Sequence, residues 1–198
     1  MSPRPDVSEE RKNQILDAAA AVFGRLGFHE ARMDDIVRES GLSKGTLYWY
    51  FTSKDAIITG LMQRIFDLGM SGLRKLEDAD GPVRERLLEY TRRLGDDFQR
   101  LSAVQSIAFE FYAVAARHKT VRQFLKEYFK QYRATVARLI AQGIARGEFR
   151  AVDPDAVATT LAALYEGLVL LWFVDPEAVH WATQGSASVG LLLDGLRP

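Results

Sequence analysis

From Ile15 to the C-terminus apolar residues recur three and four positions apart, and no segment alternates apolar with polar. Such a chain can bury its hydrophobic side chains as helices but not as strands, so the expected fold is all-α. Punctuation divides the pattern into about nine helices. Ser8 can cap a first helix, in which Ile15, Ala19, Phe23 and Leu26 form one stripe that Gly27 ends. A short second carries Met33, Ile36 and Val37 on one side; a third, shorter still, follows Ser43. Ser53 caps a fourth with Ile57, Leu61, Ile65 and Leu68 inward. Gly81-Pro82 opens a fifth, a sixth spans about 102–116, and a seventh spans about 119–146 and stops at Gly147. Asp153-Pro154 and Asp175-Pro176 each pair an N-cap with a first-turn proline and are expected to open an eighth and a ninth helix.

The 198 residues, 47% hydrophobic, are enough to bury a full core in one or two domains. There is no cysteine, which excludes disulfides and thiolate metal sites. The apolar run Leu161–Val174 is short for a bilayer and contains Glu166, and the N-terminus lacks a signal-peptide run. The expectation is a cytoplasmic protein without a membrane partner. The formal net charge is +0, and residues 1–54 hold eight basic and eight acidic side chains. Any basic footprint there must come from arrangement rather than composition. The excess of positive charge lies at residues 119–150, net +6, and residues 151–198 are net −5. That pattern reads as a solvated helix face balancing an acidic neighbour rather than a second nucleic-acid surface.

One stretch carries a more specific chemistry. Residues Gly41–Lys54 read Gly-Leu-Ser-Lys-Gly-Thr-Leu-Tyr-Trp-Tyr-Phe-Thr-Ser-Lys. Gly41 can take the left-handed conformation that ends a helix, and Ser43 can cap the next. Leu47 and Phe51, four apart, share an inward face. Consecutive helical residues point about 100° apart, so Tyr48, Trp49 and Tyr50 cannot all be buried in a small unit. A helix held from behind, with hydroxyls, rings and lysines in front, suits the major groove of DNA.

With Gly27-Phe28 and Met33-Asp34-Asp35-Ile36-Val37 upstream, this stretch resembles the TetR family of transcriptional regulators, closely from about Glu9 to Leu61. The resemblance implies an N-terminal three-helix helix-turn-helix DNA-binding domain, residues 1–54, and a C-terminal helical ligand-binding and dimerisation domain, residues 55–198. It assigns base-edge contacts to Lys44, Gly45 and Thr46 behind the Ser43 cap, and reach to bases, sugars or phosphates to Trp49 and Tyr50. Tyr48 and Lys54 are assigned to phosphates. Arg32 stands where the family commonly has a capping hydroxyl; it cannot cap, but its guanidinium can reach a phosphate. Asp34 and Asp35 suit a helix N-terminus yet, beside DNA, would weaken affinity. The partner implied is a double-stranded, palindromic operator bound by a homodimer.

DNA binding needs far fewer than 198 residues. The later helices carry Phe98, Phe109, Tyr112, Phe129, Tyr132, Tyr165 and Trp172, with Gln105, Glu110 and Glu166 in the same apolar stretches. Aromatic walls with a few polar groups describe a small-molecule effector pocket. The eighth helix is apolar nearly all round, and the ninth mixes Leu191, Leu192, Leu193 and Leu196 with Gly185, Ser186, Ala187, Ser188 and Gly190. Both fit a dimer interface through the last two helices. Catalysis finds little support. Glu177 and His180 have the Glu-x-x-His spacing of di-iron bundles, but once rather than twice, and the three histidines are scattered. No catalytic residue, metal site or cofactor is expected; a dimerisation adaptor without DNA affinity is the other alternative.

Overall fold

The computed structural model describes residues 7–100, 105–175 and 177–198, with side chains there except those of 96–100, 105, 106, 108, 173 and 182. The described residues are all-α: α1 (Val7–Leu26), α2 (Met33–Ser40), α3 (Lys44–Tyr50), α4 (Lys54–Lys75), α5 (Val83–Arg100), α6 (Gln105–Arg117), α7 (Lys119–Ala145), α8 (Pro154–Val174) and α9 (Ser186–Asp194), the last preceded by a π-helical turn, Trp181–Gly185. They form two compact units that divide α4 between Ile65 and Phe66, and α7 between Arg122 and Gln123.

The first unit holds α1, α2, α3, the first half of α4, α6 and the start of α7. Ile15, Leu16, Ala19, Val22 and Phe23 bury one face of α1, at the spacing a helix requires. Ile36 of α2, Leu47 of α3, and Ile57, Ile58, Leu61 and Met62 of α4 are equally enclosed. Gln14 Nε2 donates to the Ser40 carbonyl at 2.7 Å, tying α1 to the last turn of α2. Gly41, at φ +66°, ends α2 in the left-handed region where a side chain would be strained.

The second unit packs the rest of α4 and α7 with α5, α8 and α9 around Met70, Leu73, Leu87, Val136, Leu139, Ile140, Leu161 and Leu193. A smaller cluster joins Leu168 and Trp172 of α8 to Trp181. Glu148, beyond the end of α7, accepts the Val83 N–H at 2.6 Å and so caps α5 from far along the chain. Arg86, 6% exposed, donates to the carbonyls of Leu76 and Ala79 and to Gln142, which ties the turn after α4 to α5 and α7.

Five local expectations are corrected. Ser8 lies inside α1 rather than capping it. Pro82 precedes the first turn of α5 instead of occupying it. Leu68 is 64% exposed, because the buried face of α4 follows Met70 and Leu73, and Leu68 stands about 200° round the helix from Met70. Of the Asp175-Pro176 pair, Pro176 lies outside the described residues, and no helix begins at the described residues 175 or 177–180. The Asp175 carboxylate accepts the Ala178 N–H at 3.0 Å, a local turn, and helix resumes only at Trp181. Finally, Pro154–Trp172 is long and apolar enough, by length and composition, to cross a membrane. The shorter run Leu161–Val174 understates it, because Val157, Ala158 and their neighbours extend the apolar character to Pro154. Here the helix contributes Val157, Ala158, Leu161, Leu168 and Trp172 to the two clusters.

Candidate nucleic-acid interface and effector site

The turn and α3 are built from caps inward. Ser43 Oγ accepts the Thr46 N–H at 3.1 Å, and the two hydroxyls lie 2.8 Å apart. Leu47, fully buried, and Phe51, 6% exposed, fix the inner face. The outer face is open. Trp49 is 74% exposed and Tyr48 39%, while Thr46 and Tyr50 are half-buried. The Trp49 and Tyr50 rings meet edge to face at 4.6 Å. A Cβ placed on Gly45 would meet nothing nearer than Ser43 Oγ at 3.9 Å, so packing does not demand glycine there.

The charges beside α3 are already partnered within the protein. Lys44 Nζ lies 2.7 Å from Asp34 Oδ1, and this hydrogen bond raises the lysine above its ordinary range. The same ammonium stands 6.0 Å from the Tyr48 ring centre. Asp35 accepts the Arg32 backbone N–H at 2.8 Å and pairs with Arg38; the backbone bond first, then Arg38, hold its carboxyl below the usual range. Arg32 itself is exposed, and its side chain makes no cap. Lys54 donates to the carbonyls of Phe28 at 2.7 Å and His29 at 3.0 Å, and sits over the Phe28 ring at 4.8 Å. It therefore braces the loop after α1, a role that sequence reading missed.

The expected effector residues divide between the units. Phe109, Glu110 and Tyr112 belong to the first; Phe129, Tyr132, Tyr165, Glu166 and Trp172 belong to the second. The side chains of Phe98 and Gln105 lie outside the described residues. Glu110, 22% exposed, faces His29 at 2.8 Å, and His118 faces Asp55 at 3.0 Å.

In the second unit the rings run on from one helix to the next. Phe66 stacks on Tyr128 at 4.1 Å, Tyr128 stands 6.5 Å from Tyr132, Tyr132 6.5 Å from Tyr165, and Tyr165 6.0 Å from Trp181. Tyr90 donates to the Gly69 carbonyl at 3.1 Å, and the Tyr165 hydroxyl meets Thr91 Oγ1 at 2.5 Å. Burial pushes the hydroxyls of Tyr90, Tyr128, Tyr132 and Tyr165 far above the ordinary phenol range, and Glu166 adds to the rise at Tyr128 and Tyr132. Phe66, Tyr90, Tyr128 and Trp181 were absent from the expected set. The stripe Phe124, Tyr128, Tyr132 at intervals of four was the signal for Tyr128.

Among the described residues no three His, Asp or Glu side chains gather as a metal site, and both Glu177 and His180 are exposed on the connection after α8.

Two family models match the chain: the bacterial regulatory proteins of the tetR family over residues 15–61, and the C-terminal part of the BetI-type transcriptional repressors over residues 82–190. The chain is 33% identical to the HTH-type transcriptional regulator YfiR of Bacillus subtilis (strain 168) over 190 residues, covering 90% of this chain and 89% of the relative. The fold matches SmeT of Stenotrophomonas maltophilia in its complex with triclosan at a TM-score of 0.78 and 18% identity, over 96% of this chain and 92% of the other. Salmonella enterica GusR superimposes at 0.76 with 25% identity, over 98% and 97%. Proteins of the matched regulator families are not enzymes, which leaves the isolated Glu177-x-x-His180 spacing without a catalytic reading. Regulator-family models over both halves of the chain and a 33% identical relative along nearly its whole length place this protein in the TetR family of DNA-binding transcriptional regulators.

Proposed function

We propose that the protein is a ligand-responsive repressor that binds a palindromic operator as a homodimer in the cytoplasm and leaves it when a small-molecule effector binds. The observation that carries the reading is Trp49, 74% exposed two residues from the fully buried Leu47. Exposing an indole on a rigid seven-residue helix is unfavourable in water unless a partner covers it. In this reading residues 1–54 form the DNA-binding domain and residues 55–198 the effector and dimer domain. Ser43 sets the start of α3; Lys44, Gly45 and Thr46 meet base edges. Trp49 and Tyr50 reach bases or sugars, and Arg32, Tyr48 and Lys54 meet phosphates.

The aromatic interior of the second unit supports an effector with a flat or apolar body. SmeT, of the same fold, is seen with triclosan. Glu166, half-buried and near enough to Tyr128 and Tyr132 to raise both, would favour cationic or hydrogen-bond-donating effectors. Dimerisation through α8 and α9 is supported by Leu170, Leu171, Val174 and Leu191, which are 47–77% exposed. Contact with a second copy removes this apolar surface from water without a membrane. Effector binding then shifts the population toward dimers whose reading helices no longer match the groove spacing.

The test is selection from a pool of random duplexes by the purified protein. Enrichment of two-fold-symmetric sites, loss of binding in Trp49→Ala with an unchanged melting temperature, and a dimer mass that falls in Leu191→Glu are expected. Absence of any enriched sequence, or full binding by Trp49→Ala, refutes the reading.

A further inference from the structure

We propose that Asp34 and Lys44 act as one base-reading pair that selects a G·C base pair in each operator half-site. The inference rests on the DNA-binding reading above and assigns one of its specificity contacts.

The side-chain contacts that fix the start of α2 do not use Asp34. At the start of α2 it is Asp35, one residue later, that takes the Arg32 N–H, and Asp35 that pairs with Arg38. Asp34 instead reaches across to the first residue of α3. Its carboxylate and the Lys44 ammonium lie 2.7 Å apart, with 64% and 63% of the two side chains exposed. Because the same ammonium stands 6.0 Å from the Tyr48 ring, the pair is continuous with the outer face of α3. Gly45, next to Lys44, leaves open space beside it.

A free lysine here would be a phosphate contact. Held to a carboxylate, it presents a donor and an acceptor side by side, with no net charge to neutralise a phosphate. The ammonium has three N–H donors; one is given to Asp34, leaving two. In the major groove a G·C pair shows two adjacent acceptors, guanine N7 and O6, followed by one donor, the cytosine N4 amine. Guanine O6 and cytosine N4 are hydrogen-bonded to each other, so they sit about 2.9 Å apart, close to the spacing of the protein pair. The two remaining ammonium donors match N7 and O6, and the carboxylate accepts from N4. In an A·T pair the middle group is the adenine N6 donor, which would confront the ammonium. The pair therefore discriminates between the two.

Asp34 could instead merely stabilise the positive end of α2, and such a role would not change base preference at a single position. Selection from a randomised duplex pool by the full-length wild type, Asp34→Ala and Asp34→Asn separates these. In the wild type the position that responds to Asp34 should carry G·C. Asp34→Ala should flatten preference there by about tenfold while sparing the other positions, and Asp34→Asn should move it toward A·T, since a carboxamide fits adenine N6 and N7. Freed from Asp34, Lys44 can meet a phosphate, so the salt slope of binding to random duplex should steepen by about 0.9 in the alanine variant. Unchanged preference and slope in both variants, or an A·T pair at the responsive position in the wild type, overturns the inference while leaving DNA reading intact. If the wild type enriches no sequence, both fall together.

Discussion

Gly45→Ala separates what the fold needs from what a partner needs. In the free protein the added methyl meets only Ser43 Oγ, at 3.9 Å, and the glycine sits in helix α3 without a positive φ. Glycine in a helix is less stable than alanine by roughly 0.5–1 kcal/mol, because its unfolded chain has more freedom to lose. The substitution should therefore stabilise the protein and raise the melting temperature by about 1–4 °C for a chain of this size. On DNA the sign reverses. On the proposed reading the methyl would occupy the space through which the backbone of α3 approaches the groove floor, and a tenfold weaker operator affinity, about 1.4 kcal/mol, is the expected minimum. Circular-dichroism melting and fluorescence anisotropy with a labelled operator duplex measure the two effects on the same sample. A raised melting temperature with unchanged affinity would show that this face is not apposed to DNA. A lowered melting temperature would show that the site is not open, and the reasoning fails at its first step.

Lys54→Met removes two hydrogen bonds from an ammonium to the carbonyls of Phe28 and His29. It should lower unfolding stability by about 1–3 kcal/mol in urea, before any DNA is added; a variant as stable as wild type would return Lys54 to phosphate binding alone. Gly143→Ala would put a Cβ 2.4 Å from the Phe149 ring, which is 3% exposed. It should cost about 1–3 kcal/mol in the same assay, and a neutral result would mean that Phe149 can move aside. Tyr90, Tyr128, Tyr132 and Tyr165, four of the seven tyrosines, have raised folded-state values, so their contribution to stability is complete below the unfolded phenol value of about 10 and is lost as pH rises past it. Tyrosinate absorbance should show these four ionising only with unfolding. Ionisation of all seven near pH 10 in the native state would contradict their burial.

The helices were legible because apolar spacing and caps are local. Ser43 capping α3, Gly41 ending α2 and Asp153 opening α8 are each decided within four residues. The exposed Trp49 was legible for the same reason, since three consecutive helical residues cannot share a face. What failed was non-local. Nothing near Lys54 signals that its ammonium reaches back 25 and 26 residues to two carbonyls, and Glu148 gives no sign of capping a helix 65 residues away. Asp175-Pro176 reads as a helix start by local rules, yet the next helical residues after Asp175 among those described begin at Trp181, which packs against Leu168 and Trp172. Glu110 likewise has a contact that its apolar surroundings did not signal, facing His29 at 2.8 Å.

The neutrality of residues 1–54 looks at first like an argument against DNA binding, and the ion pairs of the first unit turn it into a statement about how that binding works. Arg25 pairs with Glu39, Arg38 with Asp35, Lys44 with Asp34 and Arg64 with Asp17. A surface of paired charges projects a weak field, so long-range steering toward phosphates is small, and each cation that does move to a phosphate must first leave a carboxylate. Non-specific affinity, which rests almost wholly on counterion release, is suppressed in proportion. On the proposed reading specific affinity loses less, because base-edge hydrogen bonds and ring contacts from Trp49 and Tyr50 would not depend on net charge. In a genome crowded with competing sites it is the ratio of these two affinities that determines occupancy. On the proposed reading, the acids beside α3 would lower total affinity while raising that ratio, and Asp34 would belong to the reading surface rather than act against it.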